Sequence, residues 1–138
     1  MADNKIDQYL IDLMYTYQQV ENNLWLIDDE EHNLNGVAVS LTDALVTFRV
    51  MIMDAPKENS AELFAKLLEL NADLINGAYA LSGSKIWLLD TLQYENMDYG
   101  DFRAVLDSFS LALELHYPVL SAYRSKSDRC KSENPGKK

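Results

Sequence analysis

The chain has 138 residues, 48% hydrophobic and 25% charged, which suits one domain with a core of its own. No apolar run approaches the ~20 residues of a membrane-spanning helix, and the opening Met1-Ala2-Asp3-Asn4-Lys5 lacks the basic-then-apolar layout of a secretory signal. The net charge of −10 is uneven: residues 1–123 hold 6 basic and 20 acidic side chains, a balance of −14, whereas residues 124–138 hold 6 basic and 2 acidic, a balance of +4; an acidic body repels phosphate backbones and argues against nucleic-acid binding.

Ile6, Tyr9, Leu10, Leu13, Met14 and Tyr17 recur at helical spacing, with Asp7 and Asp12 off the stripe, and predict an amphipathic helix over residues 4–18. Leu24-Trp25-Leu26-Ile27 is a short apolar run closed by Asp28-Asp29-Glu30-Glu31. Gly36 opens the alternating run Val37-Ala38-Val39-Ser40-Leu41, and Thr42-Asp43-Ala44 offers a turn into a longer strand from Leu45 to Met53. Within that strand Val46, Phe48, Val50 and Ile52 share the natural core face, and Leu45, Thr47, Arg49, Met51 and Met53 share the other. Asp54-Ala55-Pro56 ends it, since proline cannot donate to a ladder.

Ser60 starts a second helix carrying Leu63, Phe64, Leu67, Leu68 and Leu74, with Glu62 in its first turn and Gly77 as its terminator. A second hairpin runs through Ala78–Leu81, the turn Ser82-Gly83-Ser84, and Lys85–Tyr94; Ile86, Leu88 and Leu92 face one way and Trp87, Leu89 and Thr91 the other. Asp98 and Asp101 form a box-like cap for a long last helix striped by Phe102, Val105, Leu106, Phe109, Leu113, His116, Tyr117 and Leu120. Pro118 predicts a kink or break near Tyr117. Residues 124–138 hold no anchoring apolar side chain and read as a disordered basic tail.

The fold class is therefore α+β, one domain over residues 1–123, in the order α-β-β-β-α-β-β-α. Short connections make an antiparallel sheet of about five strands, with helices packed mainly on one face. The outer face then carries Met51, Met53 and one of the tryptophans.

Chemistry finds little support. The run Asp28-Asp29-Glu30-Glu31-His32 fails the calcium-loop pattern, because Leu34 and Val39 stand where oxygen ligands belong, and reads as a solvated strand-end loop. His32 and His116 have no partner at metal spacing, and His116 reads as a core or interface residue. Phosphate-binding glycine loops, nucleophile elbows and His-Glu-x-x-His are absent from the sequence. Cys130 is the single cysteine and has no internal disulfide partner, which fits a cytoplasmic protein. The expectation is a non-enzymatic protein without cofactor, catalytic or metal residues, whose partner is a protein or peptide. Trp25, Met51, Met53, Trp87 and Leu89 are the candidate contact set, since methionine and aromatic side chains on strands suit an adaptable surface. Tyr9, Leu13 and Tyr17 either pack on the sheet or receive partner side chains, and a sheet edge offers further backbone hydrogen bonds.

The layout over about residues 4–123 resembles the type III secretion chaperone-like fold, which includes Tir-type (CesT-like) secretion chaperones and YbjN-type domains. The resemblance rests on Leu67-Leu68-Glu69-Leu70-Asn71, followed by Gly77-Ala78-Tyr79-Ala80-Leu81, the strand Ile86-Trp87-Leu88-Leu89 and the helix opening at Asp98. It implies a small acidic cytoplasmic homodimer that holds an extended, unfolded client segment without cofactor or ATP. Its YbjN-type branch implies instead a regulatory or structural adaptor that dimerises and binds a folded partner. Pro118 and the basic tail depart from the family pattern.

Overall fold

The structure, a computed structural model, describes residues 5–58 and 60–123; the basic tail, with Cys130, lies outside the described residues. Helix α1 (Lys5–Leu13) leads into four strands, β1 (Tyr17–Glu21), β2 (Leu24–Asp29), β3 (Leu34–Thr42) and β4 (Leu45–Asp54). Helix α2 (Ser60–Asp73), strands β5 (Ala78–Ser82) and β6 (Lys85–Gln93), and helix α3 (Tyr99–Ser121) complete the chain. The sheet is six-stranded, in the order β1-β2-β3-β4-β6-β5, and every neighbouring pair is antiparallel. The expected α+β order holds, with one strand added.

The added strand comes from an early helix stop. Met14 adopts a left-handed backbone with φ 62°, its N–H donates to Ile11 O at 3.0 Å, and Tyr15 N–H donates to Leu10 O at 3.3 Å. Those two bonds form a Schellman closure, but without the glycine or asparagine that usually announces one. The apolar spacing that predicted helix to residue 18 thus continues past the closure, and Tyr17 lies in β1. Asn22 and Asn23, the latter at φ 62°, turn β1 back into β2.

Between β3 and β4 the turn has two residues, Asp43 at φ 53° and Ala44 at φ 67°. Two left-handed residues in succession match the right-handed twist of a hairpin. At the other turn of interest, α2 ends at Asp73, ahead of Gly77, so Gly77 is not its terminator. Gly77 has φ 94°, and a Cβ there would sit 3.0 Å from the Phe109 ring and 3.3 Å from Leu89 O, so it lets the chain pass under α3 into β5.

All three helices contribute to a core on one face of the sheet. Ile6 and Leu10 of α1, Leu63 and Leu67 of α2, and Phe102, Val105, Leu106 and Phe109 of α3 are buried with Val39, Phe48, Val50, Ile86 and Leu88 of the strands. Phe48 is the hub, its ring 5.3 Å from Phe102 and 6.4 Å from Phe109. The start of α3 is fixed by a capping box: Asp101 N–H donates to the Asp98 carboxylate at 2.8 Å, and Asp98 N–H donates to the Asp101 carboxylate at 3.1 Å. The helix runs unbroken through Pro118 to Ser121. Proline there costs one bond in the exposed last turns, where buried Leu120 still anchors the helix.

Candidate functional site

Side chains directly opposite one another on paired strands point to the same face, so the register maps the side of the sheet that the helices leave open. One row crosses it as Leu26–Ala38–Arg49–Leu89–Ala78. Beside it run Met51–Trp87–Ala80 on one flank and Leu24–Ser40–Thr47–Thr91 on the other, with Thr42–Leu45–Gln93 beyond. These residues are half-buried by one another or exposed, Met51 at 43% and Leu45 at 42%. The Arg49 guanidinium lies over the Trp87 ring, 5.4 Å from its centroid, a cation–π placement.

The five candidate contact residues divide. Met51, Trp87 and Leu89 meet on this open face. Met53 does not: the register shifts between Met51 and Met53, so that Met51 faces Trp87 whereas Met53 faces buried Ile86. A bulge inserts one residue and reverses the alternation beyond it, and Met53 enters the core at 3% exposure. Trp25 is also a core residue, 1% exposed, opposite Val39, with its indole N–H donating to the Asp7 carboxylate of α1 at 2.8 Å. Their placement on an outer surface is therefore corrected: α1 covers the first and a bulge turns the second inward. Tyr9 packs on Tyr99 and Phe102, with ring centroids 5.7 and 5.4 Å away. Arg49, central to the open face, was absent from the candidate set, although the alternation of the strand already put it beside Met51.

The acidic run is more than a solvated loop. Asp28, Glu30, Glu31 and His32 are exposed, but Asp29 is 4% exposed and accepts from Thr16 N–H at 2.8 Å, His32 N–H at 3.1 Å and His32 Nδ1 at 3.0 Å. Burial works against its ionisation, but the Thr16 and His32 bonds together outweigh it and hold the carboxyl below its ordinary value. Asp29 thereby ties the end of β2 to the entry of β1. Ligand atoms of Asp29, Glu31 and His32 lie within 4.8 Å of one another; the Asp29–His32 bonds account for that pair, and Glu31 is exposed beside it.

A cleft of about 320 Å³ opens where β3 and β4 part. Their pairing stops at Ala38 and Arg49, and β3 bends away at Gly36, whose φ is 74°. Asn33, Asn35, Met51, Ile52, Tyr79 and His116 are among its walls. Tyr79 Oη and His116 Nδ1 are hydrogen-bonded at 2.7 Å. Burial pushes the Tyr79 hydroxyl up to about 12. Burial also lowers His116, against an opposing pull from Asp73. Both groups are thus neutral at pH 7 and satisfy each other beside an apolar wall.

Comparison with known proteins accords with this architecture. The CesT_Tir_1 family profile matches residues 2–126. The chain belongs to the CesT_Tir_1 family. No significant match is found among curated protein sequences. Among solved structures, YbjN of E. coli, described as a candidate transcription regulator, has 16% identity and a TM-score of 0.63, covering 83% of this chain and 89% of that one. A chain of the heterodimeric ExoU–SpcU complex, from the type III secretion system of Pseudomonas aeruginosa, has 14% identity and a TM-score of 0.67, covering 83% and 96%. A chain of the ExsC–ExsE complex has 11% identity and a TM-score of 0.52, covering 84% and 93%. All are type III secretion chaperone-like folds, as the order of elements implied. Among the described residues, no helix is long and apolar enough to cross a membrane.

Proposed function

We propose that this CesT_Tir_1 member is a cytoplasmic, non-enzymatic chaperone-like protein that holds an extended segment of a partner protein against the open face of its sheet. The observation that carries this reading is the sheet's one-sidedness: three helices bury one face, and no helix packs over the other among the described residues, where Met51 is exposed and Leu26, Trp87 and Leu89 are half-buried. Apolar side chains left on a sheet face suit an interaction surface, and methionine repacks easily against different sequences. The ExoU–SpcU and ExsC–ExsE likenesses support a protein partner, since each is a complex of two proteins.

The test is hydrogen exchange on the protein together with the partner that co-purifies with it from its native cytoplasm. Protection is expected on β4 and β6 and along one continuous extended stretch of the partner. Leu89→Glu is expected to remove that protection while the protein stays folded, with a modest fall in the unfolding midpoint because Leu89 is half-buried. Protection of a whole folded partner domain, with β4 and β6 unchanged, would refute the reading.

Homodimerisation belongs to the same proposal. Leu68 and Ile75, on and just beyond α2, are 70% and 90% exposed, and Leu81 on the adjacent β5 is 53% exposed. This second apolar strip, together with the likeness to YbjN, favours the alternative of an adaptor whose dimer binds a folded partner. Light scattering at low micromolar concentration should show a dimer that Leu68→Glu dissociates. A monomeric wild type would remove this part.

A further inference from the structure

The body of this protein carries 20 acidic side chains against 6 basic ones in residues 1–123. Among the described residues the acidic side chains keep to the rim of the open face: Glu21 ends the Leu24 row on the edge strand β1, and Asp28 and Asp54 lie at its margins. The one charge in the interior of those rows is Arg49.

The surroundings of the other cations sharpen the contrast. Of the five other described cations, Lys66, Lys85 and Arg103 meet carboxylates at 3.1, 2.8 and 3.4 Å, Lys5 Nζ donates to two backbone carbonyls, and Lys57 lies in the loop after β4, outside the strands. Among the described residues Arg49 meets no carboxylate, and its guanidinium rests on Trp87. A cation–π placement beside an indole favours one position of the guanidinium while leaving its N–H donors available. A carboxylate delivered from outside would find a positioned, two-pronged donor with apolar side chains on each side.

We infer that Arg49 is a specificity residue of the open face, and that it selects a partner segment in which one carboxylate side chain is set among apolar residues. This rests on the reading that the face holds an extended segment. The chemistry of the partner is set on two scales. The negative body disfavours a segment dense in acids at long range, whereas Arg49 rewards one acid at contact. At physiological ionic strength the long-range field is screened beyond about 8 Å, and a contact pair covered by a docked segment persists.

Fluorescence polarisation with short synthetic peptides of alternating Leu and Ser, carrying one central Glu, Gln or Lys, separates the possibilities. At physiological salt the Glu probe is expected to bind about 5- to 10-fold more tightly than the Gln probe, in the range of a charge-assisted bond, and the Lys probe more weakly than either. Arg49→Gln should erase the preference, and Arg49→Glu should reverse it in favour of Lys. Arg49 is exposed, so both variants are expected to stay folded and to lower the urea midpoint by no more than about 0.5 M, the loss of the contact with Trp87. Equal binding of all three probes, unchanged by Arg49→Glu, overturns the role of Arg49 and leaves the open-face reading standing. Binding of no probe, or binding that Leu89→Glu does not weaken, overturns both.

Discussion

The two tryptophans offer a direct measure of which face is closed. Trp25 is buried between the sheet and α1 and bonded to Asp7. Removing a buried aromatic ring costs about 3–5 kcal/mol, a large share of a total that runs about 5–15 kcal/mol for a domain. Trp87 is half-buried, with Arg49 over its ring. Its removal forfeits a surface cation–π contact of about 0.5–1 kcal/mol and a partial burial of similar size, for a loss of about 1–2 kcal/mol. With a urea slope of about 2 kcal/mol/M, Trp25→Ala should lower the midpoint by about 2 M and Trp87→Ala by about 0.5–1 M. Far-UV circular dichroism is the suitable probe, since it does not rely on the residue removed. Trp25→Phe should fall between them, keeping a ring but losing the 2.8 Å bond to Asp7, worth about 1 kcal/mol. If Trp87→Ala is as damaging as Trp25→Ala, the sheet is packed on both faces and the partner-binding argument fails.

Ala44→Gly should stabilise the fold by about 0.5–1 kcal/mol, because an L-residue in the left-handed region costs about 1–2 kcal/mol and glycine returns part of that as chain entropy; differential scanning fluorimetry should show a small rise in Tm, and a fall would mean that the turn has another conformation. His116 has a folded pKa below its ordinary 6.5, so the unfolded chain takes up the proton first. Its contribution is complete above about pH 6.5 and is lost as pH falls through the lowered value; His116→Gln should flatten the fall in urea midpoint between about pH 7 and pH 5, and an unchanged slope would assign that fall to other groups. Asn71→Ala removes the carboxamide that accepts from Tyr79 N–H at 2.7 Å and donates to Tyr79 O at 3.4 Å; a loss of about 1–2 kcal/mol is expected, together with faster thioflavin-positive aggregation on mild heating.

Much of this fold was legible because its elements advertise themselves in period and cap. The Asp98–Asp101 box and the alternation of β4 up to Met51 gave element type and face directly, and the leucine spacing of α2 gave the helix, although Leu68 of that stripe is exposed. What escaped was set by backbone conformation at residues that carry no special signature. Met14 closes α1 in a left-handed state that the sequence marks with neither glycine nor asparagine, which hid β1. The bulge before Met53 is a register event between β4 and β6, invisible to alternation counted along one strand. The same limits divided the candidate site: Met51, Trp87 and Leu89 follow strand alternation and share the open face, whereas Trp25 and Met53 depended on what packs above them.

The edges of the sheet bear on how a partner is met. Free strand edges invite pairing with another chain, yet both edges of this sheet are blunted. β1 has five residues, with a register irregularity between Gln19 and Glu21 and an exposed acid at its end. On β5 the backbone N–H and C=O of Tyr79 are both taken by Asn71, so that a side-chain amide stands where a neighbouring strand would pair. Asn71 belongs to the stretch that first suggested the family. With backbone pairing obstructed at both ends, an incoming segment gains most by laying side chains across the face. Selectivity then rests on side-chain chemistry, and the one charge there, Arg49, carries more weight than its exposure alone would suggest.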